Sequence, residues 1–142
     1  MLRECDRKVQ RLNIGDRCSL IRGDVFDYDF APGAYDCALI GFLFSHVSEA
    51  QEAKVFGSLR RMLRPSGRFL ILDSAWTELR AKFNRKEERQ ERQLNNGTPF
   101  EIYKRYLDRV DIAHWAEKYQ LTTRIAYFGT ALCAVSGRFY EI

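Results

Sequence analysis

Apolar and polar positions in this 142-residue chain follow two periods. From Leu2 to Leu12 apolar residues are sparse among charges, which predicts a short surface helix. The run Asn13 to Asp16 breaks it, with Gly15 suited to a helix C-cap. Cys18 to Val25 (CSLIRGDV) alternates well enough for a strand. A loop follows, marked by the turn pair Pro32-Gly33. Tyr35 to Phe44 (YDCALIGFLF) is almost wholly apolar and suits a parallel strand buried on both faces. Ser48 with Gln51 three residues later reads as a capping box. The helix it opens carries Val55, Phe56, Leu59, Met62 and Leu63 at helical spacing, a core stripe. Pro65 and Gly67 end it, and Gly67 to Ala75 is a second buried strand. Trp76 to Gln90 reads as a polar, charge-laced helix. Asn96-Gly97, between extended runs, signals a hairpin. Asp108 to Leu121 reads as a helix with Ile112, Trp115, Ala116 and Tyr119 on one stripe. Thr122–Gly129 and Leu132–Ile142 then form two strands. Their short connection makes them antiparallel, since parallel strands need a long crossover.

Strands alternating with helices predict an α/β fold over a single domain, residues 1–142. The expected sheet is Rossmann-like and mostly parallel, with helices on both faces and an antiparallel strand pair at the C-terminal end. Composition changes little: 46% hydrophobic and 30% charged residues are ordinary for a globular domain. No apolar run approaches the roughly 20 residues of a membrane helix, and the charged start does not read as a secretory signal. A cytoplasmic location without membrane association is expected. Four scattered cysteines read as reduced, mostly packing thiols, and two distant histidines argue against a metal site. The net charge of +4 permits anionic partners. Its strongest run, RKEERQER (Arg85 to Arg92), mixes both signs and reads as a solvated helix face rather than a nucleic-acid surface.

In an open parallel sheet, ligands bind beyond the carboxyl ends of the strands. Three such ends stand out: Gly23-Asp24-Val25, Gly41-Phe42 and Asp73. A carboxylate at Asp24, beside the backbone N–H groups that follow, can read an adenine edge; it can equally cap the next turn. Gly41 inside an apolar strand marks close approach of a ligand or tight packing against a helix. Phe42 and Phe44 read more readily as core than as a cofactor wall. His46 is a candidate general base, weighed against a simple backbone hydrogen bond. Asp73 faces the site or caps the next segment. Tyr103, Arg105 and Tyr106 line a substrate cover or are packing residues.

The segments LIRGDVFDYDFAPGAYDCALIGFLFSHV and LRRMLRPSGRFLILDSAW resemble class I S-adenosylmethionine-dependent methyltransferases, in the order and spacing of the family's later motifs. The resemblance runs from about Leu12 to the C-terminal end. It implies that Asp24 contacts the adenine amine of S-adenosylmethionine, that Val25 is its backbone partner, and that Gly41 and Phe42 lie near the methionine part. Ser66 in RPSG replaces the first glycine of the family's Pro-Gly-Gly turn. The family's glycine-rich first turn and the acidic residue that holds the ribose find no counterpart, and no G-x-G pattern occurs. The expectation is therefore a truncated methyltransferase domain, incomplete at its N-terminal side, acting on an acceptor, small molecule or protein, that the sequence does not identify. The alternative is a non-catalytic pseudo-methyltransferase subunit that binds a complete homologue. A nucleotide-dependent oxidoreductase is a weaker reading, because a glycine-rich phosphate loop is lacking. Without its family neighbours, the strand at Tyr35 to Phe44 has an unpaired edge. Two repairs are expected: Cys18–Val25 slides in beside it, or another chain pairs there, as in a homodimer.

Overall fold

The computed structural model describes residues 2–140. Helix α1 spans Leu2–Arg11. Its end is turned not by Gly15 but by Asn13, whose φ of 50° lies in the left-handed region that asparagine tolerates. Gly15 instead opens a 3-10 turn, Gly15–Arg17. The strand expected at Cys18–Val25 does not form: the segment is irregular, and Asp24 O accepts from Asp27 N and Tyr28 N to turn the chain. An alternating pattern is not enough for a strand; a ladder needs a second strand to receive its N–H and C=O groups, and none lies alongside. The expected insertion of this segment beside the next strand is thereby overturned.

Strand β1 spans Tyr35–Gly41, α2 spans Glu49–Met62 and β2 spans Leu63–Ser74. Between β1 and α2 lies a 3-10 turn, Phe44–His46. Strands β1 and β2 pair in parallel, from Cys37↔Arg68 to Gly41↔Leu72. Helix α2 begins at Ser48, where Gln51 Oε1 accepts from Ser48 N at 3.0 Å, as the capping box requires. Its stripe Val55, Phe56, Leu59 and Met62 is buried, continued by Leu63.

The polar helix expected over Trp76–Gln90 shrinks to α3, Glu78–Ala81. Glu87–Gln93 is instead strand β3, antiparallel to β4, Pro99–Arg105. Opposite charges here serve a cross-strand pair, Arg89 Nη1 to Glu101 Oε1 at 2.6 Å, rather than pairs one helical turn apart. The hairpin turn at Asn96-Gly97 is as expected, with Gly97 at φ 83°. Helix α4 spans Arg109–Lys118. Strands β5, Leu121–Phe128, and β6, Leu132–Phe139, close the described chain as an antiparallel pair; Glu141 and Ile142 lie outside the described residues.

The four-stranded sheet has the order β1-β2-β6-β5, and β3 and β4 form a separate two-stranded arm. Along β2, Phe69, Ile71 and Asp73 point to the side where α2 and α4 pack, and all are buried. The aromatic centre joins Phe44, Phe56, Phe69 and Trp115. Gly137 belongs to this packing: a Cβ there would lie 2.4 Å from the Phe69 ring, so only glycine lets β6 approach β2 at that level. The other side of the sheet is open. Strand β1, expected to be buried on both faces, is an edge strand with Leu39 68% exposed and Cys37 exposed. The four cysteines are free, and Cys5 and Cys37 lie on the surface rather than in packing; Cys133 alone is fully buried. Burial and the neighbouring Asp73 charge push the Cys133 thiol up to about 11. Among the described residues no helix is long and apolar enough to cross a membrane.

Candidate functional site

The carboxyl ends of β1 and β2 meet below the Phe44–His46 turn. At the end of β1, Phe42 holds φ 55° and donates its N–H to Leu72 O at 2.8 Å. A left-handed bulky residue is strained and persists only where the surroundings enforce it. Phe42 is 54% exposed, so it is not the core residue its hydrophobicity suggests, whereas Phe44 is fully buried. A Cβ built on Gly41 meets nothing within 4 Å. Tight helix packing therefore does not explain this glycine; open space lies above it.

That space is a cavity of about 440 Å³ between the outer edge of β1 and α2, lined by Val25, Phe30, Ile40, Gly41 and Leu43 among others. A second depression, about 220 Å³, adjoins it and is lined by Gly23, Asp24, Val25, Tyr28 and Phe30. Val25 and Phe30 line both. The structure thus places Val25 and Gly41 in the lining of the larger hollow and Asp24 with Val25 in the depression beside it, whereas Phe42 lines neither. Asp24 Oδ1 accepts from Phe26 N at 2.9 Å, the turn-capping role. A carboxylate has two oxygens, and Oδ2 has no partner among the described residues, so capping and recognition are compatible in one side chain.

His46 is exposed, and its Nδ1 lies 2.9 Å from Tyr103 O on the β3–β4 arm. A carbonyl can only accept, so in the neutral ring Nδ1 carries the hydrogen and Nε2 keeps its lone pair. The backbone bond and the base role, set against each other from sequence, are parts of one arrangement. Asp73 does not face the hollow. It is fully buried, its Oδ2 accepting from Ser45 N at 3.0 Å and its Oδ1 from Ser74 N at 2.7 Å. It holds the turn that carries His46. Beside it, Ser45 Oγ is buried without a hydrogen-bond partner among the described residues.

The arm is fastened by an ion network that sequence reading missed. Arg105 donates to Glu52 Oε1, which also accepts from Trp115 Nε1 at 2.8 Å; Glu52 is 1% exposed. Arg105 also reaches Asp111, and Lys86 bridges Asp108 and Asp111 at 2.6 and 3.0 Å. Burial opposes the charge on Arg105, but Glu52 and Asp111 raise its pKa above the ordinary value. The signal was present: Glu52 falls three and four residues before Val55 and Phe56, on the apolar stripe of α2. Tyr106 is buried and packs at the base of the arm, Tyr103 is half-buried, and burial and the Glu87 carboxylate push the Tyr103 hydroxyl up to about 12.

The fold has counterparts among solved structures. The DhpI–SAH complex superposes with a TM-score of 0.73 at 16% identity, covering 93% of this chain and 59% of that one. The PH0226 protein from Pyrococcus horikoshii OT3 gives 0.71 at 16% identity, covering 99% and 69%. The Burkholderia thailandensis 1,6-didemethyltoxoflavin-N1-methyltransferase gives 0.65 at 15%, covering 96% and 56%. The chain thus shares its fold with solved methyltransferase structures. Residues 1–67, a little under half of the chain, match the family model described as a methyltransferase domain. The chain spans about three fifths of the DhpI chain's length. No curated protein sequence matches.

Proposed function

We propose that this chain serves S-adenosylmethionine-dependent methyl transfer. The observation that carries the reading is the methyltransferase-domain pattern over residues 1–67, which includes the Asp24–Gly41 hollow. The residues present fit the adenine end of the cofactor: a free carboxylate oxygen on Asp24, backbone at Val25, and apolar walls from Val25 and Phe30 for a flat ring. Gly41 supplies the floor, where the missing Cβ leaves room, and Phe42 follows it at the strand end. When bound, the cofactor supplies an electrophilic methyl group on a sulfonium. This chain's part is to hold and align the reactants, and to accept the acceptor's proton at His46 Nε2, a lone pair freed because Tyr103 O occupies Nδ1. Asp73 fixes the turn and Arg105 fixes the arm, so the imidazole is held from both sides.

Calorimetric titration with S-adenosylmethionine tests the reading. Saturable heat is expected, weakened about tenfold or more in Asp24→Ala through loss of a charge-assisted hydrogen bond. Absence of heat at millimolar cofactor rejects autonomous binding. One observation favours a second reading, in which the chain acts as a subunit of an assembly with another copy or a complete homologue: the outer edge of β1 has no partner strand among the described residues.

A further inference from the structure

The sheet side away from α2 and α4 carries a second, separate feature. Arg68 of β2, Arg138 of β6 and Arg124 of β5 line one shallow depression of about 230 Å³, together with Thr122 and Ser136. The register makes this meeting. Phe69 pairs with Gly137, setting Arg68 and Arg138 side by side just beyond, and Arg138 pairs with Thr122 while Arg124 pairs with Ser136. All three arginines are exposed, and none makes an ion pair among the described residues. Among the described residues no carboxylate lines the depression. Like charges on neighbouring strands repel, and no ion pair among the described residues offsets the repulsion. Other exposed arginines do find carboxylates: Arg61 pairs with Asp29, Arg64 with Asp36 and Arg89 with Glu101.

We propose that this depression binds a phosphate or diphosphate group of a soluble phosphorylated small molecule. Guanidinium forks match phosphate oxygens two at a time, and the Thr122 hydroxyl adds a neutral donor. The cationic area is one patch: along the same face the next positions toward the carboxyl end of β2 are Leu70 and Leu72, paired with Ser136 and Ala134, without charge. A nucleic-acid backbone, with charge repeating along its length, needs a longer track of cations. The site is distinct from the Asp24–Gly41 hollow, and binding here stands or falls independently of methyl transfer.

The test is titration of inorganic pyrophosphate into the full chain at constant ionic strength, followed by calorimetry, with thermal unfolding as a check on folding. One saturable site is expected, weakened at least about tenfold in Arg138→Gln and in Arg124→Gln, and unchanged in Arg22→Gln, an exposed arginine outside the depression. Non-saturable heat, or equal weakening in Arg22→Gln, overturns the proposal in favour of diffuse net charge. Cosedimentation with phosphatidylcholine vesicles containing phosphatidic acid separates the sources of phosphate. Arg138-dependent vesicle binding without pyrophosphate binding overturns the soluble ligand in favour of a lipid headgroup.

Discussion

His46 shows how one contact sets a residue's chemistry. The Tyr103 carbonyl dictates the tautomer, and an exposed Nε2 follows. In a transfer assay over a panel of acceptors, His46→Gln is expected to lower turnover by about 10²–10⁴ while leaving the cofactor dissociation constant unchanged. Equal turnover in the variant limits His46 to fastening the arm. Asp24, Val25, Gly41 and Phe42 were legible as candidates because turn chemistry and a glycine in an apolar strand are local signals. The strain at Phe42 and the burial of Asp73 were not, since both depend on β2 lying alongside β1.

At the scale of elements, the β3–β4 arm depends on one buried ion pair. Removing Glu52 leaves Arg105 and Trp115 Nε1 without their acceptor. Glu52→Ala is therefore expected to cost about 3–5 kcal/mol in chemical denaturation, and Glu52→Met with Arg105→Met to restore much of it, because the second change removes the stranded charge. The cap of α4 carries a pH dependence. Lys86 sits against Asp108 and Asp111; burial works against both charges, but the pairing wins, lowering Asp108 below 3.8 and raising Lys86 above 10.5. A depressed carboxyl stabilises above its unfolded value and loses that contribution as pH falls through the folded one. A raised amine stabilises below its unfolded value and loses it as pH rises through the folded one. The pair thus contributes between about pH 4 and pH 10.5. Because Lys86 is 38% exposed, the effect is reduced by solvent screening. Lys86→Met is expected to cost about 0.5–1 kcal/mol at pH 7 and to lose that difference in the acid limb of a thermal-melt series.

At the scale of the whole molecule, the sheet is closed on one side only. Among the described residues strand β1 presents an unpaired edge with Leu39 beside it, an arrangement that invites another strand. Pairing of two copies along this edge predicts a dimer in size-exclusion chromatography with light scattering, and Leu39→Lys is expected to shift it to monomer. A wild-type monomer at all concentrations counts against the subunit reading.

The sequence by itself determined the elements whose signals are local. These are α2 with its capping box and buried stripe, the Asn96-Gly97 turn, helix α4 and the antiparallel last pair. Tertiary structure decided the rest. Cys18–Val25 alternates like a strand, yet without a neighbour to complete its hydrogen bonds it stays irregular. RKEERQER has the charge pattern of a helix, yet β4 supplies a ladder and it becomes β3. Arg68, Arg124 and Arg138 are scattered along the chain, and only the register of three strands makes them one surface. Periodicity records which side of a segment is apolar; which segments find partners is a property of the assembled sheet, and that pairing shaped both the hollow at Asp24 and Gly41 and the arm that holds His46.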